Sequence, residues 1–300
     1  MTYHKPVLLK ESIDGLNIKP KGIYADLTFG GGGHSQGILD KLGRKGRLIA
    51  FDQDKDAEKN VPDDPRITFI HSNFRFLKNF LRCLEVEKLD GILADLGISS
   101  YQIDEITRGF TFRQNALLDM RMNTGSELTA EKVINDYPEA ELLRIFRDYG
   151  EMRDAHRFAR KISDDRSNRR IKYVNDLIDI CKDLLPPHQR NKLLAKLFQS
   201  IRIEVNDEMG ALKEMLKQTP EVLNKEGRLV VLSYHSIEDR MVKNLIKSGN
   251  VEGIVEKDFY GNKKLIFKAV NKKIITPDDN EIEINPRARS AKLRIAEKIE

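Results

Sequence analysis

Four consecutive glycines, Gly30 to Gly33, stand between a short apolar run ending in an acid (Ile23-Tyr-Ala-Asp26) and a helical pattern at Ile38, Leu39 and Leu42. Glycine lets backbone approach a ligand closely and tolerates positive φ, and a following helix N-terminus favours polar or anionic groups. Strand, glycine loop and helix in this order open a nucleotide-cofactor domain, although four glycines also suit a plain flexible turn. Two carboxylates extend the pattern. Asp52 ends a second apolar run about twenty positions past Gly33, where an acid can accept ribose hydroxyls. Asp95 ends a further run.

The residues after the glycines narrow the choice of nucleotide. A phosphate-cradling loop for ATP or GTP needs Lys-Ser/Thr there, and this chain has His34-Ser35-Gln36. A dinucleotide loop needs a third glycine; the two possible registers reach Ser35 and Gln36 instead. S-adenosylmethionine has no pyrophosphate, so close backbone approach and a ribose acceptor suffice. Asp52 fits a ribose without choosing between cofactors, and it also fits a strand-end turn. Phe74, just past a third apolar run, can pack on adenine or belong to the core. Past Asp95, the segment Asp95-Leu-Gly-Ile-Ser-Ser-Tyr-Gln102 offers acceptors that can hold an exocyclic amine for in-line methyl transfer. A polar turn into the next segment is the plainer reading.

These residues need elements to place them. Apolar runs at Ile23–Asp26, Arg47–Asp52, Arg66–His71 and Asp90–Asp95 alternate with helical patterns, among them one capped by Asp54 and one through Phe76, Leu77, Phe80, Leu81 and Leu84. That rhythm predicts a doubly wound α/β domain with a mostly parallel sheet. It then breaks: the next comparable strand is Arg228–Ser233, far beyond a normal crossover. Helical faces fill the interval, at Leu142, Leu143, Phe146 and Tyr149, at Phe158 and Ile162, at Val174, Leu177, Ile178 and Cys181, and at Leu193, Leu194, Leu197, Phe198 and Ile201. An inserted all-helical domain is expected over 105–204, between the two parts of the sheet domain at 1–104 and 205–300. Ser236-Ile-Glu-Asp239 reads as a capping box opening a helix, and alternation over Lys264–Val270 and Ala291–Ala296 predicts two final strands.

Composition bounds the partners. The 300 residues are 40% hydrophobic and 33% charged, with a net charge of +5. No stretch is apolar enough to span a membrane and the N-terminus is no secretory signal, so a cytoplasmic protein is expected. Cys83 and Cys181 read as buried thiols in a reducing compartment, and nothing calls for a metal. The excess positive charge is matched by one segment: from Arg144 to Lys172 ten basic residues face five acids. Such a surface can neutralise phosphates without reading sequence, or be a solvated helix face.

Nearly end to end, the chain resembles the bacterial ribosomal RNA small-subunit methyltransferase H family, also called MraW. The resemblance is carried by His4–Glu11, Thr28-Phe-Gly-Gly-Gly-Gly-His-Ser35, Asp95–Ser100, Arg108-Gly-Phe-Thr-Phe112, Leu118–Met122, Phe198–Ile203 with Val205-Asn206, Ser233–Arg240 and Asn285–Ser290. It implies a Rossmann-like class I methyltransferase sheet cut by a helical insert. It also implies S-adenosylmethionine-dependent methylation of the N4 amine of a cytidine in the decoding region of 16S rRNA. Cofactor contacts carried over fall on Gly32, Gly33, His34, Asp52, Phe74, Asp95 and Gln102, with Asp95 the catalytic candidate. The chain departs from the family pattern at Gly31, at Glu151-Met152 and at Arg113-Gln-Asn-Ala-Leu117, which leaves the substrate-side loop at 113–117 less defined. Arg108, Arg202, Arg287 and Arg289 are expected to position 16S rRNA or the small subunit, while Phe110 and Phe112 suit either an extruded base or the insert's core. A homodimer is left open. An NAD(P)-dependent oxidoreductase and a non-catalytic RNA-binding assembly factor are the competing readings.

Overall fold

The computed structural model describes residues 6–99, 102–103, 105–257, 259–261 and 265–299. Lys264 of the expected sixth strand, and His4, Lys5, Ser100 and Tyr101 of the segments singled out above, lie outside these. The chain divides into two compact units, one formed by Met1–Gly97 with Met209–Glu300 and the other by Ile98–Glu208.

The first unit is built on a seven-stranded sheet in the order β3-β2-β1-β4-β5-β7-β6. Its strands are β1 (Ile23–Asp26), β2 (Arg47–Asp52), β3 (Ile67–His71), β4 (Leu89–Asp95), β5 (Leu223–Ser233), β6 (Phe267–Ala269) and β7 (Lys292–Lys298). The first five pair in parallel, and β7 runs antiparallel to both β5 and β6. This is the doubly wound, mostly parallel α/β class read from the sequence. Central strands covered on both faces read as continuous apolar runs: Leu48, Ile49, Ala50 and Phe51 of β2, and Ile92, Leu93 and Ala94 of β4, are fully buried. The helices here are α1 (Leu9–Leu16), α2 (Gly33–Leu39), α3 (Leu77–Cys83), α9 (Glu208–Val222), which begins at the unit's border, α10 (Ser236–Ser248) and α11 (Asp279–Ile284).

Several local expectations shift. Asp54 caps only a short 3-10 helix, Lys55–Asn60, through a bond from the Asp56 N–H, because Pro62 follows at once. Strand β5 starts at Leu223, not Arg228; its polar first half passes through Glu226 at φ 64° and pairs with β4 across a register shift between Leu89 and Gly91. The capping box of α10 sits one residue earlier than read, with His235 as N-cap and Glu238 as its partner. Cys181 is buried but Cys83 is exposed, since α3 buries Leu77 and Leu81 and Cys83 falls off that face.

The second unit is helical: α4 (Ala130–Asp136), α5 (Glu139–Asp148), α6 (Ala155–Arg166), α7 (Val174–Cys181) and α8 (Arg190–Val205). It has its own core, with Phe146, Phe158, Ile162, Leu177 and Leu197 almost fully buried. Phe110 joins that core and Phe112 packs against it.

Candidate active site

Parallel strands put their carboxyl ends on one side of a sheet, so β1, β2 and β4 deliver Asp26, Asp52 and Asp95 to the same edge of the first unit. The glycine loop lies over this edge. Gly30 has φ 51° and Gly32 has φ 77°, values that an L side chain adopts only with strain. A Cβ on Gly32 would stand 2.9 Å from the Phe29 ring, and one on Gly33 would stand 2.2 Å from Pro6 Cγ. The loop therefore needs glycine at both positions.

Asp26, wholly buried, ties the loop down: its Oδ2 accepts from the Ser35 hydroxyl at 2.7 Å and its Oδ1 from the Thr28 N–H at 3.1 Å. Burial raises its carboxyl despite those bonds and His34 nearby. Asp52 accepts from the Gly30 N–H at 2.7 Å and from the Asp54 N–H at 2.8 Å. Burial outweighs both bonds and pushes the carboxyl up to about 6. Each Asp52 oxygen has a second lone pair, which a ribose hydroxyl can fill.

Asp95 is held by two hydrogen bonds and has His34 beside it. Its N–H donates to Thr28 Oγ1 at 2.7 Å, the Tyr234 hydroxyl donates to its Oδ1 at 2.8 Å, and His34 Nδ1 stands 3.7 Å from its Oδ2. Burial pushes the Asp95 carboxyl up to about 7, against the lowering effect of the Tyr234 bond. His34 is buried and burial keeps its imidazole neutral. Its Nε2 lies 3.1 Å from the Val7 carbonyl, an acceptor, so Nε2 carries the proton and Nδ1 faces Asp95 with a lone pair. Burial also keeps the Tyr234 phenol protonated, hence a donor. Phe74 is half-buried at the end of β3, in a turn where Asn73 bonds the Arg75 N–H.

Gly32, Gly33, His34, Asp52, Phe74 and Asp95 are thus all carried by the sheet unit. Gln102 belongs to the helical unit, where its Oε1 accepts from the Ser99 N–H at 3.1 Å. Arg108 is buried in the helical unit and donates to the carbonyls of Arg121 and Met122. Arg202 forms a two-pronged pair with Glu208 at 2.8 and 3.0 Å. Both guanidinium groups therefore fix the fold of that unit. Arg287 and Arg289 are exposed on a 3-10 turn after Asn285. Tyr234, Asp26, Thr28 and Ser35 are site residues that the sequence reading passed over. Asp26 ends β1, Thr28 lies between β1 and the glycines, and Ser35 lies in the first turn of α2, so position could have flagged these three; Tyr234 reaches Asp95 only through the fold.

A glycine loop over the carboxyl ends of a parallel sheet, flanked by Asp26, Asp52 and Asp95, defines an α/β domain of the nucleotide-cofactor class. The model of the MraW methylase family matches residues 1–299, and the chain belongs to that family. Its cofactor is S-adenosylmethionine, and the Asp52 carboxylate and the Cβ-free loop fit it. The oxidoreductase alternative falls away. Two proteins named "Ribosomal RNA small subunit methyltransferase H" are 55% identical to this chain. The one from Bacteroides thetaiotaomicron aligns over 99% of this chain and 98% of its own length. The one from Flavobacterium johnsoniae aligns over 100% and 99%.

Proposed function

We propose that the chain methylates the N4 amine of a cytidine in the decoding region of 16S rRNA, in the cytoplasm, on the RNA or the small subunit. The relatives' names support the RNA class, and the Asp95 carboxylate supports the amine. Bound S-adenosylmethionine supplies a methyl group activated on a sulfonium. Gly32, Gly33 and His34 would line its amino-acid part, Asp52 the ribose and Phe74 the adenine. Asp95 accepts an N–H of the amine and aims the nitrogen lone pair at the methyl carbon. The methyl group would pass to that nitrogen with the C–S bonding pair left on sulfur, and the proton that the nitrogen sheds would go to Asp95. A carboxyl near 7 is suited to that exchange at neutral pH.

Methylation at C5 of cytosine would instead call for a cysteine nucleophile. Cys83 sits on the surface at the end of α3 and Cys181 is buried in the helical unit, its thiol pushed up to about 12 by burial. In this reading, residues 1–104 and 205–300 form the methyltransferase domain and 105–204 the RNA-substrate domain. Labelled S-adenosylmethionine, unmethylated small-subunit RNA and mass-spectrometric mapping test it. Label on cytidine N4 is the expected result; label on carbon, or none, overturns it.

A further inference from the structure

Two turns at the amino-terminal ends of β1 and β2 carry a concentrated positive charge. Lys19-Pro-Lys21 leads toward β1, and Lys41-Leu-Gly-Arg-Lys-Gly-Arg47 leads from α2 into β2. These ten residues hold six basic side chains and no acid. All six are exposed. Because β1 and β2 are parallel, this edge lies opposite the one that bears Asp26, Asp52 and Asp95. At ~3.3 Å per residue, Arg47 at the start of β2 stands about 17 Å from Asp52 at its end.

The two turns are tied together. The Gly43 N–H donates to the Pro20 carbonyl at 2.8 Å and the Arg47 N–H to the Gly22 carbonyl at 3.0 Å. A Cβ on Gly46 would stand 2.9 Å from the same Pro20 oxygen. Leu42 and Leu48 are buried in the core beneath, and the Arg66 guanidinium donates to the Leu39 and Leu42 carbonyls at the end of α2. The acids nearby are engaged: Asp64 pairs with Arg66, Asp40 accepts from the Gln36 amide, and Asp90 accepts from the Ile23 N–H with Lys19 Nζ at 3.7 Å. Among the described residues, Lys21, Lys41, Arg44, Lys45 and Arg47 have no carboxylate partner. The basic run at 144–172 differs. There Arg144 pairs with Glu141 and Glu204, Arg147 with Asp148, Lys161 with Asp165, and Arg170 with Glu131 and Asp136. The unmatched charge at the two turns equals the net +5 of the whole chain. With no aromatic among the ten residues, the surface suits phosphates and offers nothing for bases to stack on.

We infer that this edge of the sheet unit docks the phosphate backbone of the substrate RNA, at a stretch remote from the nucleotide that reacts. This rests on the RNA reading above. Cations fixed on tied turns neutralise phosphates without reading sequence, so the surface adds affinity and leaves the chemistry to the opposite edge. The test uses the full chain and unmethylated small-subunit RNA made by transcription, with Kd read by filter binding across salt concentrations. Lys21→Glu, Arg44→Glu and Lys45→Glu combined should weaken binding at least tenfold and flatten the log Kd–log salt slope by about 0.9 per lost duplex phosphate contact. S-adenosylmethionine affinity, and kcat at saturating RNA, should be unchanged. Lys217→Glu, Lys243→Glu and Lys247→Glu, on α9 and α10, make the same change in net charge elsewhere on the unit and should cost less than about threefold. An unchanged Kd and slope in the first variant, or an equal loss in the second, overturns the surface; so does a wild-type chain that binds no RNA. Poly-L-glutamate displacing the RNA charge for charge would make it a general polyanion face and overturn the RNA assignment. Methyl transfer by the wild type is scored separately: RNA bound at this surface without label on cytidine N4 sinks the proposed function alone.

Discussion

At Asp95, burial and hydrogen bonding pull in opposite directions. Burial disfavours the charge while the Tyr234 hydroxyl favours it, and the balance sits at about 7. Tyr234→Phe removes only the bond at 2.8 Å, so the Asp95 carboxyl should rise further. If Asp95 takes the proton, the acidic limb of the kcat–pH profile should move to higher pH in this variant, with KM for S-adenosylmethionine little changed. An unmoved limb would take Asp95 out of the proton transfer. At Asp52 the outcome should be on binding: Asp52→Ala should weaken S-adenosylmethionine by tenfold or more in calorimetry, and unchanged affinity would remove it from the ribose. Both acids were legible because each ends an apolar run that reads as a strand, Asp52 at a ribose-acceptor spacing from Gly33. Tyr234 was not, because its bond to Asp95 spans 139 positions and no local pattern reports such a contact.

Elements were readable where one force dominates. Strand β2, Arg47–Asp52, matches its apolar run residue for residue, since burial on both faces leaves no polar position inside it. The first half of β5 was hidden because Asn224-Lys-Glu-Gly227 has the composition of a turn yet is drawn into the sheet beside β4. Helix α10 was placed one residue late because a histidine ring, an uncommon N-cap, accepts from the Glu238 N–H. The helical faces of the second unit were plain from their spacing, and Phe146 at its centre is fully buried. Phe146→Ala should destabilise the protein by about 3–5 kcal/mol, read from urea unfolding; a loss under about 1 kcal/mol would show that this core tolerates a void.

For the whole molecule, the two raised carboxyls set a pH dependence. The folded, cofactor-free chain holds more protons than the unfolded chain between about pH 4, where a free aspartate titrates, and the values of about 6 and 7 at Asp52 and Asp95. Their contribution to stability is therefore present at the acid end of that window and lost as pH rises through it. Ribose hydroxyls and a cationic sulfonium favour the ionised carboxylates, so the rise in Tm on adding S-adenosylmethionine should grow from pH 5.5 to pH 8. A rise independent of pH would mean that neither acid faces the cofactor.

The pairing of β4 with β5 across the helical unit also sets an order of events during synthesis. At ~5–20 residues per second, β5 leaves the ribosome on the order of 10 s after β4. Through that interval the nascent sheet ends in an unpaired edge at β4, the strand that carries Asp95, and open edges invite wrong partners. The helical segment emerges meanwhile with a core of its own, so it can fold before the sheet closes. The β4 flank of the sheet thus stays open until β5 arrives, and slow or stalled translation between Ile98 and Glu208 lengthens its exposure.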